Sequence, residues 1–220
     1  GYRNAGVQII SQNRIAYKEA NDNALSDKTK GIAMLTMATV GKHVLAGTAL
    51  RVFAYNDKNG HLEQTLFKNL FDSLPKPRQI NLNNMVGYDE ERLWLVSEHQ
   101  VLSCRINNER IEVLAKSPLF KSGLGQGLKI GNHLYVSSEK GRLLRFEFGK
   151  PQPEIIHIPS PHFDNETKLA KLNDGNILLF MLGMHLAVLS SETGKIRDIK
   201  IADMPREGSL DPAFAKQDYY

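Results

Sequence analysis

Residues 131–158 read GNHLYVSSEKGRLLRFEFGKPQPEIIHI, and the pattern of this stretch occurs four times along the chain. Each copy has a polar turn, a short apolar run, a second turn, a second run, a third turn and a third run. One such unit cannot bury its own apolar face, so it must stack on its neighbours. The other copies are VGKHVLAGTALRVFAYNDKNGHLEQT (40–65), EERLWLVSEHQVLSCRINNERIEVL (90–114) and DGNILLFMLGMHLAVLSSETGKIRDI (174–199).

The spacing of the copies indicates the kind of repeat. The first apolar residue after each first turn is Val44, Leu93, Leu134 or Ile177, which gives spacings of 49, 41 and 43 residues. Such a period, with three or four short strands per unit, is typical of β-propeller blades. The runs are too short for the i, i+3, i+4, i+7 pattern of helical repeats. We therefore predict an all-β chain of blades with three to four antiparallel strands each.

Two apolar columns recur inside the copies, two residues apart, so they fall on one face of a strand. Because Cys104 lies in an apolar column, we predict a buried strand cysteine in preference to a nucleophile. The columns are Phe53, Leu102, Leu144 and Ala187, and then Tyr55, Cys104, Phe146 and Leu189. A fourth strand is predicted ahead of each unit, at Ala33–Val40, Gln79–Val86, Leu128–Ile130 and Lys168–Leu172.

The copies divide the chain into one propeller segment, 1–220, with four full units and a partial unit at each end. Pairing the two ends would still lack a strand, so we predict an arc of a larger propeller in preference to a closed small ring. The strands Gly6–Ile10 and Arg14–Tyr17 are predicted to belong to the first partial unit. The blades are predicted at about 31–78, 79–126, 127–167 and 168–212, with partial blades at 1–30 and 213–220.

The composition favours a globular protein that does not bind nucleic acid. The chain has 220 residues, of which 41% are hydrophobic and 24% are charged, enough for a sizeable core. Its net charge of +4 comes from cations spread along the chain without a basic arm. Cys104 is the single cysteine, which excludes an intrachain disulfide. No apolar run is long enough to span a membrane, and no signal peptide precedes the repeats, so we expect a piece of a longer protein.

The second copy contains the phrase YDEERLWLV (88–96), followed by VLS (101–103). This phrase resembles the two-component regulator propeller repeat, in which a turn leads into a Leu-Trp pair and then a Gly-Leu strand. In that comparison Trp94 corresponds to the tryptophan of the repeat, and Tyr135 occupies the same position in the third copy. Related fragments are VLAGT (44–48), LYVS (134–137), NDGNI (173–177) and QDYY (217–220).

The resemblance implies part of the periplasmic sensor of a bacterial hybrid two-component system or related membrane-anchored regulator of transcription. Such sensors commonly respond to glycans or their breakdown products. A membrane span and signalling domains would then lie in missing regions, and the signal would come from a shift in packing or homodimer geometry of the whole receptor. We expect a non-enzymatic segment without cofactors. A propeller-type glycan-active enzyme and a protein-binding scaffold are the alternatives.

Three short stretches could carry chemistry, and each has a plainer interpretation. His157, His162, Asp164 and Glu166 hold donor types that suit a metal, but their spacing matches no established site and indicates a solvated loop. The stretch GLGQG (123–127) is similar to a phosphate-binding loop, yet it precedes a strand, so we expect a flexible connection. The Asn165-Glu166-Thr167 sequon is uninformative.

The predicted site follows from propeller geometry. Ligands usually meet the face formed by the turns between second and third strands together with the connections between blades. Polar side chains at corresponding turns would converge and suit a hydroxyl-rich ligand such as an oligosaccharide. The plainer alternative is a set of exposed turn residues. The candidate ligand-binding residues are Glu98, His99, Gln100, Glu139, Lys140 and His185.

Overall fold

The computed structural model describes residues 7–11, 14–18, 36–41, 43–47, 52–56, 61–65, 82–107 and 110–199. Within these ranges the chain is built from β-strands, with one short 3-10 turn at Leu182–Met184. The predicted all-β fold is confirmed.

An antiparallel hairpin comes first, formed by β1 (Val7–Ser11) and β2 (Arg14–Lys18), as the sequence predicts for the first partial unit. Four sheets follow, each made of four strands that are consecutive in the chain. Sheet 1 contains β3 (Thr36–Val40), β4 (His43–Gly47), β5 (Val52–Asn56) and β6 (His61–Thr65). Sheet 2 contains β7 (Leu82–Gly87), β8 (Arg92–Ser97), β9 (Val101–Asn107) and β10 (Arg110–Lys116). Sheet 3 contains β11 (Leu124–Ile130), β12 (His133–Ser138), β13 (Arg142–Glu147) and β14 (Glu154–His157). Sheet 4 contains β15 (Lys168–Lys171), β16 (Ile177–Met181), β17 (His185–Leu189) and β18 (Ile196–Ile199).

Each sheet is an antiparallel meander, and the sheets stack in chain order. The first strands are the inner ones: β3 lies beside β7, β7 beside β11, and β11 beside β15. This is the arrangement of propeller blades, in which short hairpin turns connect the strands within each blade. The final partial unit, 213–220, and the end of the first predicted blade, 66–78, lie outside the described residues.

The core of the described residues contains three apolar clusters, one between each pair of successive sheets. A residue buried in this way contributes about 1.5–3 kcal/mol when it is a Leu, Ile, Val, Phe or Met side chain. The cluster between sheets 1 and 2 contains Val40, Leu45, Val52, Leu82, Met85, Leu93, Leu95, Leu102 and Cys104. The cluster between sheets 2 and 3 contains Trp94, Val96, Val101, Leu124, Leu134, Val136, Leu144 and Phe146. The cluster between sheets 3 and 4 contains Tyr135, Leu143, Ile158, Phe163, Leu169, Ile177, Leu179, Met181, Ala187 and Leu189.

The strand β8 shows why the apolar runs are continuous. Side chains alternate across a strand, so Leu93 and Leu95 enter the cluster with sheet 1 while Trp94 and Val96 enter the cluster with sheet 3. Trp94 is fully buried and meets the Tyr88 ring edge-to-face, with centroids 5.0 Å apart. A strand that is covered on both faces needs an apolar side chain at nearly every position.

Both apolar columns lie in the core wherever their side chains are described. Leu102, Leu144 and Ala187 are buried, and so are Phe146 and Leu189. The side chains of the corresponding residues at 53 and 55 lie outside the described set.

The glycine-rich stretch 123–127 is not the flexible connection that the sequence predicts, because β11 begins at Leu124, ahead of the approximate blade boundary at residue 127. A register shift interrupts its pairing with β12 between Leu124 and Gly127. A side chain at Gly125 would overlap the Asn165 carbonyl and the Ser137 hydroxyl. Gly125 therefore allows the next connection to approach the inner strand.

The Trp94→Ala substitution should lower the free energy of unfolding by about 3–5 kcal/mol, because it leaves a cavity between sheets 2 and 3. Urea denaturation followed by circular dichroism measures the loss. Leu114→Ala is the control, since Leu114 is 44% exposed on β10 and its truncation should cost less than about 1 kcal/mol. Equal losses for the two variants would contradict a core position for Trp94.

Cys104 should be inert in the folded protein. Burial raises the pKa of the thiol to about 12, although the Lys116 charge acts in the opposite direction. Because the thiolate is the reactive form, a thiol reagent near the ordinary thiol pKa of about 8.5 should label unfolded protein quickly and native protein slowly. Fast labelling of native protein would show that the core opens around β9.

Candidate functional site

The turns and connections named by the sequence share one end of the blades. Successive strands of a meander alternate in direction, so the second-to-third-strand turn lies at the same end as the connection to the next sheet. Two backbone hydrogen bonds show this: Leu124 N donates to Glu98 O at 2.7 Å, and Leu182 N donates to His162 O at 3.2 Å. We call this end the upper face; its described parts are the turns 98–100, 139–141 and 182–184 and the connections 117–123 and 158–167.

In sheet 2, the turn residues hold the following connection in place. The Gln100 side chain is 1% exposed, and its Nε2 donates to Ser117 O at 2.8 Å. His99 Nδ1 lies 3.0 Å from Phe120 O, and its Nε2 lies 4.0 Å from Glu98 Oε2. Gln100 therefore lies beneath the upper face and fixes the connection, where the sequence predicts a side chain open to ligand.

In sheet 3, the turn and the preceding connection enclose a cleft of about 420 Å³. Two of the six predicted residues, Glu139 and Lys140, line this cleft. The other lining residues belong to the connection and to the start of β13: Leu119, Phe120, Lys121, Ser122 and Arg142. These five residues are not among the predicted ones, which were all taken from the turns; the cations at 121 and 142, close to a predicted turn, were the available signal.

Hydrogen bonds across the cleft order its polar wall. Arg142 Nε donates to Glu139 O, and Arg142 Nη2 donates to Ser122 Oγ, both at 3.2 Å. Glu139 Oε1 accepts from Gly123 N at 3.4 Å. The guanidinium and the carboxylate are thus tied to backbone and hydroxyl groups on both sides of the cleft, which limits the positions that they can take.

Lys140 has a left-handed backbone, with φ of 60°. This conformation is favourable for glycine and tolerated by asparagine, but it is unfavourable for a lysine. The neighbouring Gly141, at φ of 65°, adopts the same region without this cost. Lys140 is exposed, so no burial of its side chain offsets the strain.

In sheet 4, the turn lies apart from this cleft. The His185 ring stacks on the His162 ring, with centroids 3.6 Å apart and planes at 12°. Leu182 is 50% exposed and Met184 is 85% exposed. The cleft lining includes neither His185 nor the sheet 2 residues Glu98, His99 and Gln100. The six candidates therefore lie on or under one face but do not converge on one pocket among the described residues.

The loop of possible metal donors has local structural contacts. Asp164 Oδ1 accepts from Glu166 N at 2.9 Å and from Thr167 N at 3.2 Å, which closes a tight turn. Across the described ranges, no group of three or more His, Cys, Asp and Glu residues is arranged to hold a metal ion. In the same ranges, we find no helix with the length and apolar character needed to cross a membrane.

The chain is similar in fold to a solved extracellular domain. That protein is described as the extracellular domain of a hybrid two-component system, BT3049, from B. thetaiotaomicron. The TM-score is 0.55 at 10% sequence identity, and the alignment covers 76% of this chain and 24% of that chain. The chain thus spans about a quarter of the length of its structural neighbour. No protein-family model and no curated protein matches the sequence.

The Gln100→Ala substitution should destabilise the protein by about 1–3 kcal/mol, because Ser117 O would lose a buried donor. Thermal and urea unfolding measure the change. Lys171→Gln serves as the control, since Lys171 is exposed at the end of β15. If both variants unfold alike, Gln100 does not anchor the connection.

Proposed function

We propose that this chain is a non-enzymatic, ligand-sensing propeller segment of an extracytoplasmic signal-transduction receptor, and that it recognises a glycan or a glycan breakdown product. The observation that carries the proposal is the cleft between the sheet 2 to sheet 3 connection and the sheet 3 turn. The fold likeness to the extracellular domain of a two-component system supports a periplasmic location and a sensor role.

The lining of the cleft combines the two features that sugar binding uses. Leu119 and the partly buried Phe120 offer an apolar surface for the C–H face of a sugar ring. Ser122, Glu139 and Arg142 offer hydroxyl, carboxylate and guanidinium groups for directed hydrogen bonds. A volume of about 420 Å³ lies in the range of small-molecule sites and suits a short oligosaccharide.

A non-catalytic role is favoured over the glycan-active enzyme because the cleft offers one carboxylate. Glycoside hydrolysis usually needs two carboxyl groups facing each other across the bond. Among the described residues that line the cleft, Glu139 is the one acid, and its Oε1 already accepts from Gly123 N.

Signalling would follow from the position of the cleft between two structural units. A ligand that contacts both the connection and the turn favours the arrangement of sheets 2 and 3 in which both contacts form. The rest of the receptor, in which these sheets form an arc of a larger ring, would transmit that preference as a change in packing or dimer geometry.

A protein-binding scaffold is the second candidate. Leu182 and Met184 are exposed apolar side chains at one turn of the upper face, and exposed apolar groups are a common feature of protein interfaces. The ordered polar cleft makes the glycan sensor the stronger of the two proposals.

Binding of one member of an oligosaccharide panel should raise the melting temperature, because a ligand selective for the folded state stabilises it. The Phe120→Leu substitution keeps an apolar side chain but removes the flat ring, and should weaken that binding about tenfold. Thermal shift and calorimetry give the two readouts.

The matched control is Phe180→Leu, because Phe180 is 46% exposed on β16 and is not part of the cleft. Its affinity should equal that of the unmodified protein. Turnover of any sugar in the panel would contradict the non-enzymatic role. If no sugar in the panel binds, the proposal of a glycan ligand is wrong.

A further inference from the structure

Three cations line the cleft against a single acid. Lys121 belongs to the connection, Lys140 to the turn, and Arg142 to the start of β13. They come from both walls of one cleft, so their positive potentials add at its centre. A partly enclosed site lined by charges of one sign attracts ligands of the opposite sign.

Lys121, Lys140 and Arg142 have no carboxylate within ion-pair distance among the described residues. Elsewhere, Arg105 pairs with Glu112 at 2.9 Å and Lys150 pairs with Glu147 at 2.6 Å. The one acid of the cleft, Glu139, is not within ion-pair distance of any described cation and instead accepts a backbone hydrogen bond. The cleft therefore retains uncompensated positive charge.

Arg142 is oriented before any ligand arrives. Its Nε and Nη2 groups donate to Glu139 O and Ser122 Oγ, and Nη1 has no protein partner in the described part of the chain. A guanidinium held in this way loses little conformational freedom when it binds an anion. The planar donor groups match the paired oxygens of a carboxylate or a sulfate.

Lys140 supplies an independent observation. Its left-handed backbone is a conformation in which glycine or asparagine would be more stable, yet the chain carries a lysine there. Strained backbone residues of this kind occur preferentially at functional sites. A gain in binding from the ammonium group would account for a residue that local stability disfavours.

We propose that the oligosaccharide recognised by this cleft carries an anionic group, a carboxylate or a sulfate, which is bound by Lys121, Lys140 and Arg142. The inference rests on the proposed function and narrows its ligand class to acidic sugars. Phe120 and Leu119 would contact the sugar ring while the three cations bind its anionic substituent.

Calorimetry with two matched pairs of probes tests the ligand class: trigalacturonate against its methyl ester, and lactose 6′-sulfate against lactose. At least one anionic member should bind about tenfold more tightly than its neutral partner, as expected for a charged hydrogen bond. The pair that shows the difference distinguishes carboxylate from sulfate. Its affinity should fall as salt is added, because partly exposed charges are screened.

Lys140→Asn tests the location, because asparagine tolerates the left-handed backbone and removes the charge. The anionic probe should bind about tenfold more weakly, whereas the melting temperature should stay the same or rise. Lys121→Gln is the second variant and should weaken the same probe. Lys171→Asn is the matched control, because it removes an equal charge from the end of β15 outside the cleft.

Four outcomes would overturn the proposal. Equal or tighter binding of the neutral partners would show that the ligand need not be anionic, while the proposed glycan-sensing function would still stand. Unchanged binding of an anionic probe to both lysine variants would place its site elsewhere. Binding of sodium sulfate alone, without any sugar, would indicate an adventitious ion only. Failure of every sugar in the panel, neutral and acidic, would overturn the proposed function together with this inference.

Discussion

The face-to-face burial of successive sheets is the constraint on which the rest of this structure depends. Sheets 2 and 3 are packed on both faces, and no four-stranded meander can bury an apolar face alone. The three interfacial clusters meet this need, and they are the reason that Leu93–Val96 of β8 and Leu134–Val136 of β12 are continuous apolar runs. Because β3, β7, β11 and β15 lie side by side, the upper-face turns and connections are brought together in chain order.

The cleft is a consequence of this stacking. A connection that leaves sheet 2 must cross the upper face before β11 begins, and there it meets the turn of sheet 3. On the sheet 2 side, the Gln100 and His99 side chains contact the connection and hold it in place. On the sheet 3 side, Arg142 and Glu139 do the same. The geometry of a site built between two units in this way depends on their relative position.

Much of the fold could be predicted from the residues, whereas only part of the site could. Alternating apolar positions at a long period indicated the blades, and the apolar columns placed Cys104 and Phe146 in the core. The stretch around Gly125 was predicted incorrectly, since composition does not reveal that Asn165 and Ser137 approach it closely. Of the predicted site residues, Glu139 and Lys140 line the cleft, and Gln100 lies beneath the face because Ser117 O accepts from its side chain.

The sequence by itself determined the repeating unit, its strands and its buried positions, because alternation along a strand and turn chemistry are local properties of the chain. Only the tertiary structure decided which polar residues meet. Lys121 and Arg142 belong to different sequence segments, and they line one cleft because a connection from one sheet packs on the turn of the next. That packing depends on how two apolar faces fit together, which no local pattern specifies.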